Sequence, residues 1–353
     1  MLAINPGSTS TKISVYEDMC ETMVRTIRHS AEELRPFARV ADQFAFRRDL
    51  VLAVLQEAGV ALDTLSAVIG RGGLVKPIES GVYEVNEALH RDLIDPPQGE
   101  HASNLGGLIA EDIASRVPGV RAYIADPVVV DELEDVARVS GHPLFHRVSI
   151  FHALNQKAVA RAYAKQSGRR YEELNLIVAH LGGGVSVGAH RRGRVVDVND
   201  ALHGDGPFSP ERSGALTAGQ VADLCFGGEY TREEVHHMIS GQGGLVALVG
   251  SNDVRDIVGK ARGGDARCAR AIDAMSYQIG KQIGAMAAVL EGRVDAILIT
   301  GGIAHSDAVC DYIRRMAAFI APVEVIPGED EMGALCENLL RVLRGEEQPK
   351  RYE

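Results

Sequence analysis

The chain has 353 residues, 46% of them hydrophobic and 24% charged, which places it among ordinary globular proteins and sets a prior of roughly two domains. Its 37 Lys and Arg against 48 Asp and Glu give a formal net charge of −11, which argues against a nucleic-acid partner or a membrane surface. Five cysteines (Cys20, Cys225, Cys268, Cys310, Cys336) stand far apart without a C-x-x-C pair, so reduced thiols in a cytoplasmic protein are expected rather than a disulfide framework or a zinc site.

Met1 leads into a short apolar run without a basic segment, and no stretch of about 18 apolar residues occurs, so neither export nor a membrane span is expected. Leu2 to Val15 reads as a strand, a small-residue turn and a second strand, with Asn5-Pro-Gly-Ser-Thr-Ser-Thr-Lys12 between the apolar runs. Backbone N–H groups and hydroxyls at Gly7, Ser8, Thr9 and Ser10 suit phosphate oxygens, and Lys12 adds charge; an ordinary hairpin turn explains the string as well. Ala67 to Gly70 is a buried strand that ends at Arg71, before Gly72-Gly73. His101 precedes a helix starting near Ser103 or Asn104 that buries Leu105, Leu108, Ile109 and Ile113. Ala122 to Ala125 is a strand with Asp126 at its end, before Pro127, a place for an orienting carboxylate or a turn residue.

Another helix begins after Phe151-His152. Ile177 to Ala189 then repeats the first pattern, with His180-Leu-Gly-Gly-Gly-Val-Ser-Val187 as its turn; Gly182 lies 175 residues after Gly7, about half the chain, which suggests an internal duplication. Arg212, in Ser209-Pro-Glu-Arg-Ser-Gly214, suits a bidentate anion contact or a surface ion pair. Ala266 to Glu291 is the clearest helix, since Ile272, Met275, Ile279, Ile283, Met286 and Leu290 recur at three- and four-residue steps before Gly292. Ile297 to Thr300 is a strand ending in Gly301-Gly302, flat enough for a purine ring or simply a tight turn, with a helix from Ser306. Val323 to Ile326 is the last strand. Pro327-Gly328 then opens Glu329-Asp-Glu331, which suits Mg²⁺ or an acidic first helical turn, and Gly345 to Glu353 reads as a polar tail. Walker A and strict G-x-G-x-x-G strings are absent.

Together Asn5 to Lys12, His180 to Val187 and Pro327-Gly-Glu-Asp-Glu-Met332 resemble the acetokinase family, in its butyrate kinase branch, and the resemblance runs from Leu2 to about Gly345. It implies an α/β class with a duplicated ribonuclease-H-like (actin-like ATPase) fold, two lobes and the nucleotide in the cleft between them. The lobes are expected at 1–150, completed by a C-terminal helix over 331–353, and at 151–330. The implied activity is reversible in-line phosphoryl transfer from ATP to a short-chain fatty acid such as butanoate, with ATP/ADP and Mg²⁺ as cofactors. Acetate, propionate or a branched acid is the alternative substrate, and a non-catalytic nucleotide switch the alternative class.

Carried over residue by residue, the resemblance puts Asn5 and Asp330 or Glu331 at the metal. Arg71, Asp126, His152 and Arg212 stand around the transferred phosphoryl group, and His101 and His180 are further cleft histidines. The two turns, including His180, Gly182, Gly183, Gly184 and Ser186, take the phosphates, and Gly301-Gly302 the adenosine. Three positions depart from acetate kinase: Gly183 replaces Asn, Gln156 replaces His and Gly73 replaces Val. Gly73 is expected to enlarge the acyl pocket, with Phe151 as its wall. The family also implies a homodimer or higher homo-oligomer.

Overall fold

The computed structural model describes residues 1–353, which divide into two compact units, Met1–Val130 with Asp330–Glu353, and Asp131–Glu329. The first unit is built on β1 (Leu2–Pro6), β2 (Ser10–Glu17), β3 (Cys20–Arg28), β4 (Ala67–Arg71), β5 (Val82–Glu84) and β6 (Arg121–Ala125), in the order β3-β2-β1-β4-β6-β5. β1 to β3 form an antiparallel meander, and β4 and β6 run parallel to β1. The parallel strands are apolar almost throughout because both faces are covered, whereas the edge strand β3 exposes Glu21, Thr22, Arg25 and Arg28. Helices α1 (Phe44–Glu57) and α2 (Asn104–Ser115) share a core with the sheet through Val51, Leu55, Leu105 and Ile109.

α2 comes unusually close to β4. A Cβ on Gly70 would overlap the Gly106 carbonyl, and one on Gly106 would overlap the Arg71 backbone, so the glycine pair sets the height at which Arg71 leaves the sheet. The C-terminal helix covers Glu331–Leu343 and stops there, short of 353. Its last ten residues of chain are not a loose polar tail: Lys350 N–H donates to the Val82 carbonyl at 2.7 Å, and Tyr352, 2% exposed, donates its hydroxyl to Asp92 at 2.6 Å.

The second unit repeats the design with β7 (Asn175–Leu181), β8 (Val185–Arg191), β9 (Arg194–Val198), β10 (Ala296–Gly301) and β11 (Val323–Pro327), ordered β11-β10-β7-β8-β9. Again a three-stranded antiparallel meander is followed by parallel strands, so the internal repeat read from the two Gly-rich turns is a repeat of topology. The helices that matter here are α3 (Ala153–Gln166), α4 (Ala266–Val289) and α5 (Asp307–Ala317). The whole Ile/Met stripe of α4 is buried, in one core with β7, β8 and β10.

Residues 131–150, expected with the first lobe, pack with the second unit. Glu134 N–H bonds the Val196 carbonyl at 3.0 Å, Arg147 pairs with Asp197 at 2.8 Å, and buried Lys157 pairs with Glu132 at 2.7 Å, all on or beside β9 and α3. No helix is long and apolar enough to cross a membrane.

Candidate active site

In the first unit the β1–β2 hairpin carries Gly7, Ser8, Thr9 and Ser10, closed by Gly7 N–H to the Ser10 carbonyl at 2.7 Å. The loop is held from beneath by Arg47 of α1, a residue with no signal in the sequence. Its guanidinium, 1% exposed, donates to the carbonyls of Gly7 (2.7 Å), Ser8 (3.1 Å) and Ser10 (3.1 Å), to the Thr11 hydroxyl (3.2 Å) and to Gln43. All these partners are neutral oxygens. Burial pulls the Arg47 pKa down, yet guanidinium stays protonated, so a buried cation without a counter-carboxylate lies under the loop and favours an anion above it. Lys12 is half-buried opposite Asn5 in the hairpin register.

The end of β4 brings Arg71 to Asn5 and Glu331. Arg71 Nη1 lies 3.0 Å from Glu331 Oε1 and 3.4 Å from Asn5 Oδ1, and Asn5 Nδ2 donates to Glu331 Oε2 at 2.5 Å. Glu331 sits in the first turn of the C-terminal helix. Asp330 does a different job: it is that helix's N-cap, its Oδ1 accepting Gly333 N–H at 2.9 Å. Asp126 directly follows β6 with φ +39°, and its Oδ1 accepts the Ser80 hydroxyl (2.6 Å) and Gly81 N–H (2.9 Å). His101 is exposed, its Nδ1 2.9 Å from the Ser103 hydroxyl. Gly73 does not open a pocket. A Cβ there would stand 2.5 Å from Asn104 Oδ1 and 2.7 Å from Asn104 Cα, so the space left by the missing side chain is filled by the start of α2. Asn104 Oδ1 also accepts Leu74 N–H at 3.1 Å, which fixes that approach.

In the second unit the β7–β8 turn carries Gly182, Gly183 and Gly184, closed by Gly182 N–H to the Gly184 carbonyl at 3.0 Å. Ser209 ties it to the segment bearing Arg212: its hydroxyl donates to the Gly183 carbonyl at 2.6 Å and accepts Arg212 N–H at 3.1 Å. The Arg212 guanidinium passes over Gly184 and donates to the Ala201 carbonyl; burial lowers its pKa, and the nearby Glu211 and Asp200 oppose that only in part. Gly301 (φ +91°) and Gly328 exchange backbone hydrogen bonds at 3.2 and 3.0 Å, joining the ends of β10 and β11. These segments enclose an open cavity of about 800 Å³ lined by Gly182, Gly183, Glu211, Asn252, Asp253, Val254, Arg255, Gly302, Ile303, His305 and Glu329. That is the size of a small-ligand site. Gly302 faces it with open space where a Cβ would be.

His152, the residue before α3, has its ring stacked on that of His180 at 3.9 Å between centroids and 13° between planes. His180 Nδ1 lies 2.7 Å from Asn155 Oδ1, and its Nε2 3.2 Å from Glu329 Oε1. Ser186, expected among the phosphate contacts, is instead fully buried, its hydroxyl 2.9 Å from His152 Nδ1 and 2.8 Å from Gln156 Nε2. Phe151 is 2% exposed and is not among the cavity walls. No group of three or more His, Cys, Asp or Glu could hold a metal. One carboxylate and one amide oxygen, from Glu331 and Asn5, are the kind of hard-oxygen set that Mg²⁺ shares with substrate phosphates.

Two copies of a meander-plus-parallel sheet, each with a small-residue turn between its first strands, make up the duplicated actin-like fold. The Acetokinase family model matches residues 144–320. Over 353 residues the chain is 54% identical to butyrate kinase 2 and to butyrate kinase 1 of Clostridium acetobutylicum, covering 100% of this chain and 99% of each relative. The chain belongs to the acetokinase family, and it is a phosphotransferase that uses ATP with a carboxyl group as acceptor. The fold is also that of the Porphyromonas gingivalis acetate kinase (TM-score 0.78, 19% identity, 97% of this chain and 99% of that one) and the Entamoeba histolytica acetate kinase (TM-score 0.75, 18% identity, 95% and 97%).

Proposed function

We propose that this chain is a butyrate kinase, converting butanoate and ATP reversibly into butanoyl phosphate and ADP. Full-length 54% identity to two relatives named butyrate kinase carries the choice of acid. Gly73 contributes nothing to it, since Asn104 fills the space.

The chemistry is dictated by charge. A short-chain acid has a pKa near that of Glu, about 4 to 5, so it is ionised at pH 7 and needs no general base. The barrier is the approach of an anion to a phosphoryl group that is itself anionic, and the remedies are in-line positioning and charge neutralisation. Arg71 holds the carboxylate, shifting from its pairing with Glu331. Arg212, buried against Gly184, faces the equatorial oxygens together with His152. The Arg47-backed turn and the Gly182–Gly184 turn receive phosphate oxygens, Lys12 and His180 lend polar contacts, and the cavity at Gly302 takes the adenosine. Glu331 and Asn5 would hold Mg²⁺, which when bound would offset phosphate charge; Asp330, as the cap, supports the turn that carries Glu331. Asp126 is a positioning carboxylate at the end of β6.

We also place the protein in the cytoplasm as a homo-oligomer. Five free cysteines support the first, and exposed Val136, Val139, Leu144, Phe145 and Phe226 the second. The test of function is hydroxamate trapping of acyl phosphate with Mg-ATP and straight or branched acids of about two to six carbons, where each methylene is worth about 1 to 3 kcal/mol. A kcat/KM maximum at butanoate is expected. A maximum at acetate keeps the chemistry and removes butanoate, whereas ATP turnover without acyl phosphate from any acid removes the kinase reading.

A further inference from the structure

A continuous line of buried side chains runs behind His152 and ends on its Nδ1. Tyr171 hydroxyl lies 2.6 Å from His190 Nδ1, His190 Nε2 lies 2.9 Å from Gln156 Oε1, Gln156 Nε2 lies 2.8 Å from Ser186 Oγ, and Ser186 Oγ lies 2.9 Å from His152 Nδ1. Gln156, Ser186 and His190 are each 0% exposed, so no solvent completes their hydrogen bonding.

The orientation of the Gln156 amide, at the middle of this line, is fixed by a group that can only accept. Gln156 Nε2 also lies 3.1 Å from the Ser186 carbonyl, so the amide must turn its NH₂ toward Ser186 and its oxygen toward His190. His190 Nε2 must then carry the proton. Burial, reinforced by Lys157 and Arg161, holds His190 neutral by pushing its pKa well below the usual value, so Nδ1 is bare and accepts from Tyr171. At the other end, Ser186 Oγ accepts from Gln156 Nε2 at 2.8 Å and from the His152 backbone N–H at 3.5 Å; with both lone pairs engaged and no solvent, the proton of its own hydroxyl is directed at His152 Nδ1. A ring that accepts at Nδ1 is a neutral imidazole with its proton on Nε2. Room for the line is built into the strand: a Cβ on Gly188 would stand 2.6 Å from Gln156 Oε1.

We infer that Gln156, Ser186 and His190 are positioning residues that hold His152 as a neutral Nε2–H hydrogen-bond donor. This rests on the reading of His152 as a group facing the phosphoryl oxygens. There the tautomer decides the sign: Nε2–H donates to an anionic oxygen, whereas a bare Nε2 would repel it. Ser186 and Gln156 therefore act through His152 and not on the phosphate.

The experiment is long-range ¹H–¹⁵N correlation on the full-length protein with ¹⁵N-labelled imidazoles, the His152 signals being assigned by their loss in His152→Ala. The expected wild-type pattern is a protonated Nε2 and an unprotonated Nδ1 on both His152 and His190. In Ser186→Ala the His152 pattern moves toward a mixture of tautomers, and kcat falls about tenfold or more while KM for ATP and acid changes less than about threefold. Gln156→Glu, whose carboxylate accepts the Ser186 proton, shifts the His152 proton to Nδ1. A protonated Nδ1 on wild-type His152 overturns the assignment, whatever the variants do. So does Ser186→Ala with unchanged spectrum and kcat. Unchanged kcat in His152→Ala removes His152 from the reaction and leaves the tautomer assignment to the spectrum alone.

Discussion

Gly184 lies directly beneath the guanidinium of Arg212, so that a Cβ on Gly184 would overlap Nη1. The three glycines of this turn are therefore not equivalent. Gly183 has room for a Cβ, 3.5 Å from Glu211 Oε2, while Gly184 has none. Gly184→Ala is expected to displace Arg212 and to lower kcat by about 10²-fold or more, close to the effect of Arg212→Ala. Steady-state kinetics on both single variants and the double variant check this: the double should be no worse than Arg212→Ala, because residues acting through one group are not additive.

Arg47 serves the other turn. Arg47→Met leaves the carbonyls of Gly7, Ser8 and Ser10 without their donor and removes the buried cation beneath them. A loss of about 2 to 4 kcal/mol in unfolding free energy and a rise of about tenfold or more in KM for ATP are expected. Arg47→Lys should restore little, since one ammonium cannot span partners that a planar fork reaches together. Denaturant titration and ATP saturation curves give the answer, and a KM within about twofold of wild type in Arg47→Met would remove the loop-holding role.

Asp330 and Glu331 are neighbours with separable jobs. Asp330→Asn keeps an N-cap and should leave stability and kinetics nearly unchanged, whereas Asp330→Ala should cost about 1 kcal/mol. Glu331→Gln removes the carboxylate facing Asn5 and Arg71 and should raise the Mg²⁺ concentration needed for half-maximal rate by about tenfold. A Mg²⁺ titration of each variant separates them, and an Asp330→Asn response larger than that of Glu331→Gln would reverse the assignment.

Gly73→Val tests packing against pocket volume. The added side chain meets the Asn104 backbone, so a loss of about 1 to 3 kcal/mol is expected from overpacking, with any change in rate shared across the acid series. A selective loss of the longer acids with stability intact would instead show that this position shapes the acyl pocket.

His190 and His203 pull the pH dependence of stability in opposite directions. Burial depresses the folded-state pKa of His190, so the unfolded chain binds the proton first; its contribution is whole above about pH 6.5 and declines as pH falls below that value. His203 is raised by its hydrogen bond to Asp200, so its contribution is whole below about pH 6.5 and is lost as pH rises through the raised value. In His190→Gln the fall in Tm between about pH 7 and pH 5 should be shallower than in the wild type, and in His203→Gln steeper. Thermal unfolding across that range measures both slopes.

Much of this protein is local and so is visible in the chain itself. The Ile/Met stripe from Ile272 to Leu290 imposes a helix at one period, and the short apolar runs at Ala67, Ala122 and Ile297 impose buried strands at another. The Gly-rich turns at Gly7 and Gly182 announce the repeat, because close approach and tight reversal leave few other residue types. Other features depend on which segments meet. Arg47 lies 37 residues beyond the Ser10 carbonyl it binds, and nothing around Arg47 in sequence marks it. Asp330 and Glu331 look alike in a string, and only the start of the helix makes one a cap and turns the other to Asn5 and Arg71. Gly73 looks like a space and Ser186 like a phosphate contact until Asn104 and Gln156 are found packed against them. Period and turn chemistry act between neighbours in the chain, whereas burial and hydrogen-bond direction are set by residues that only folding brings within reach.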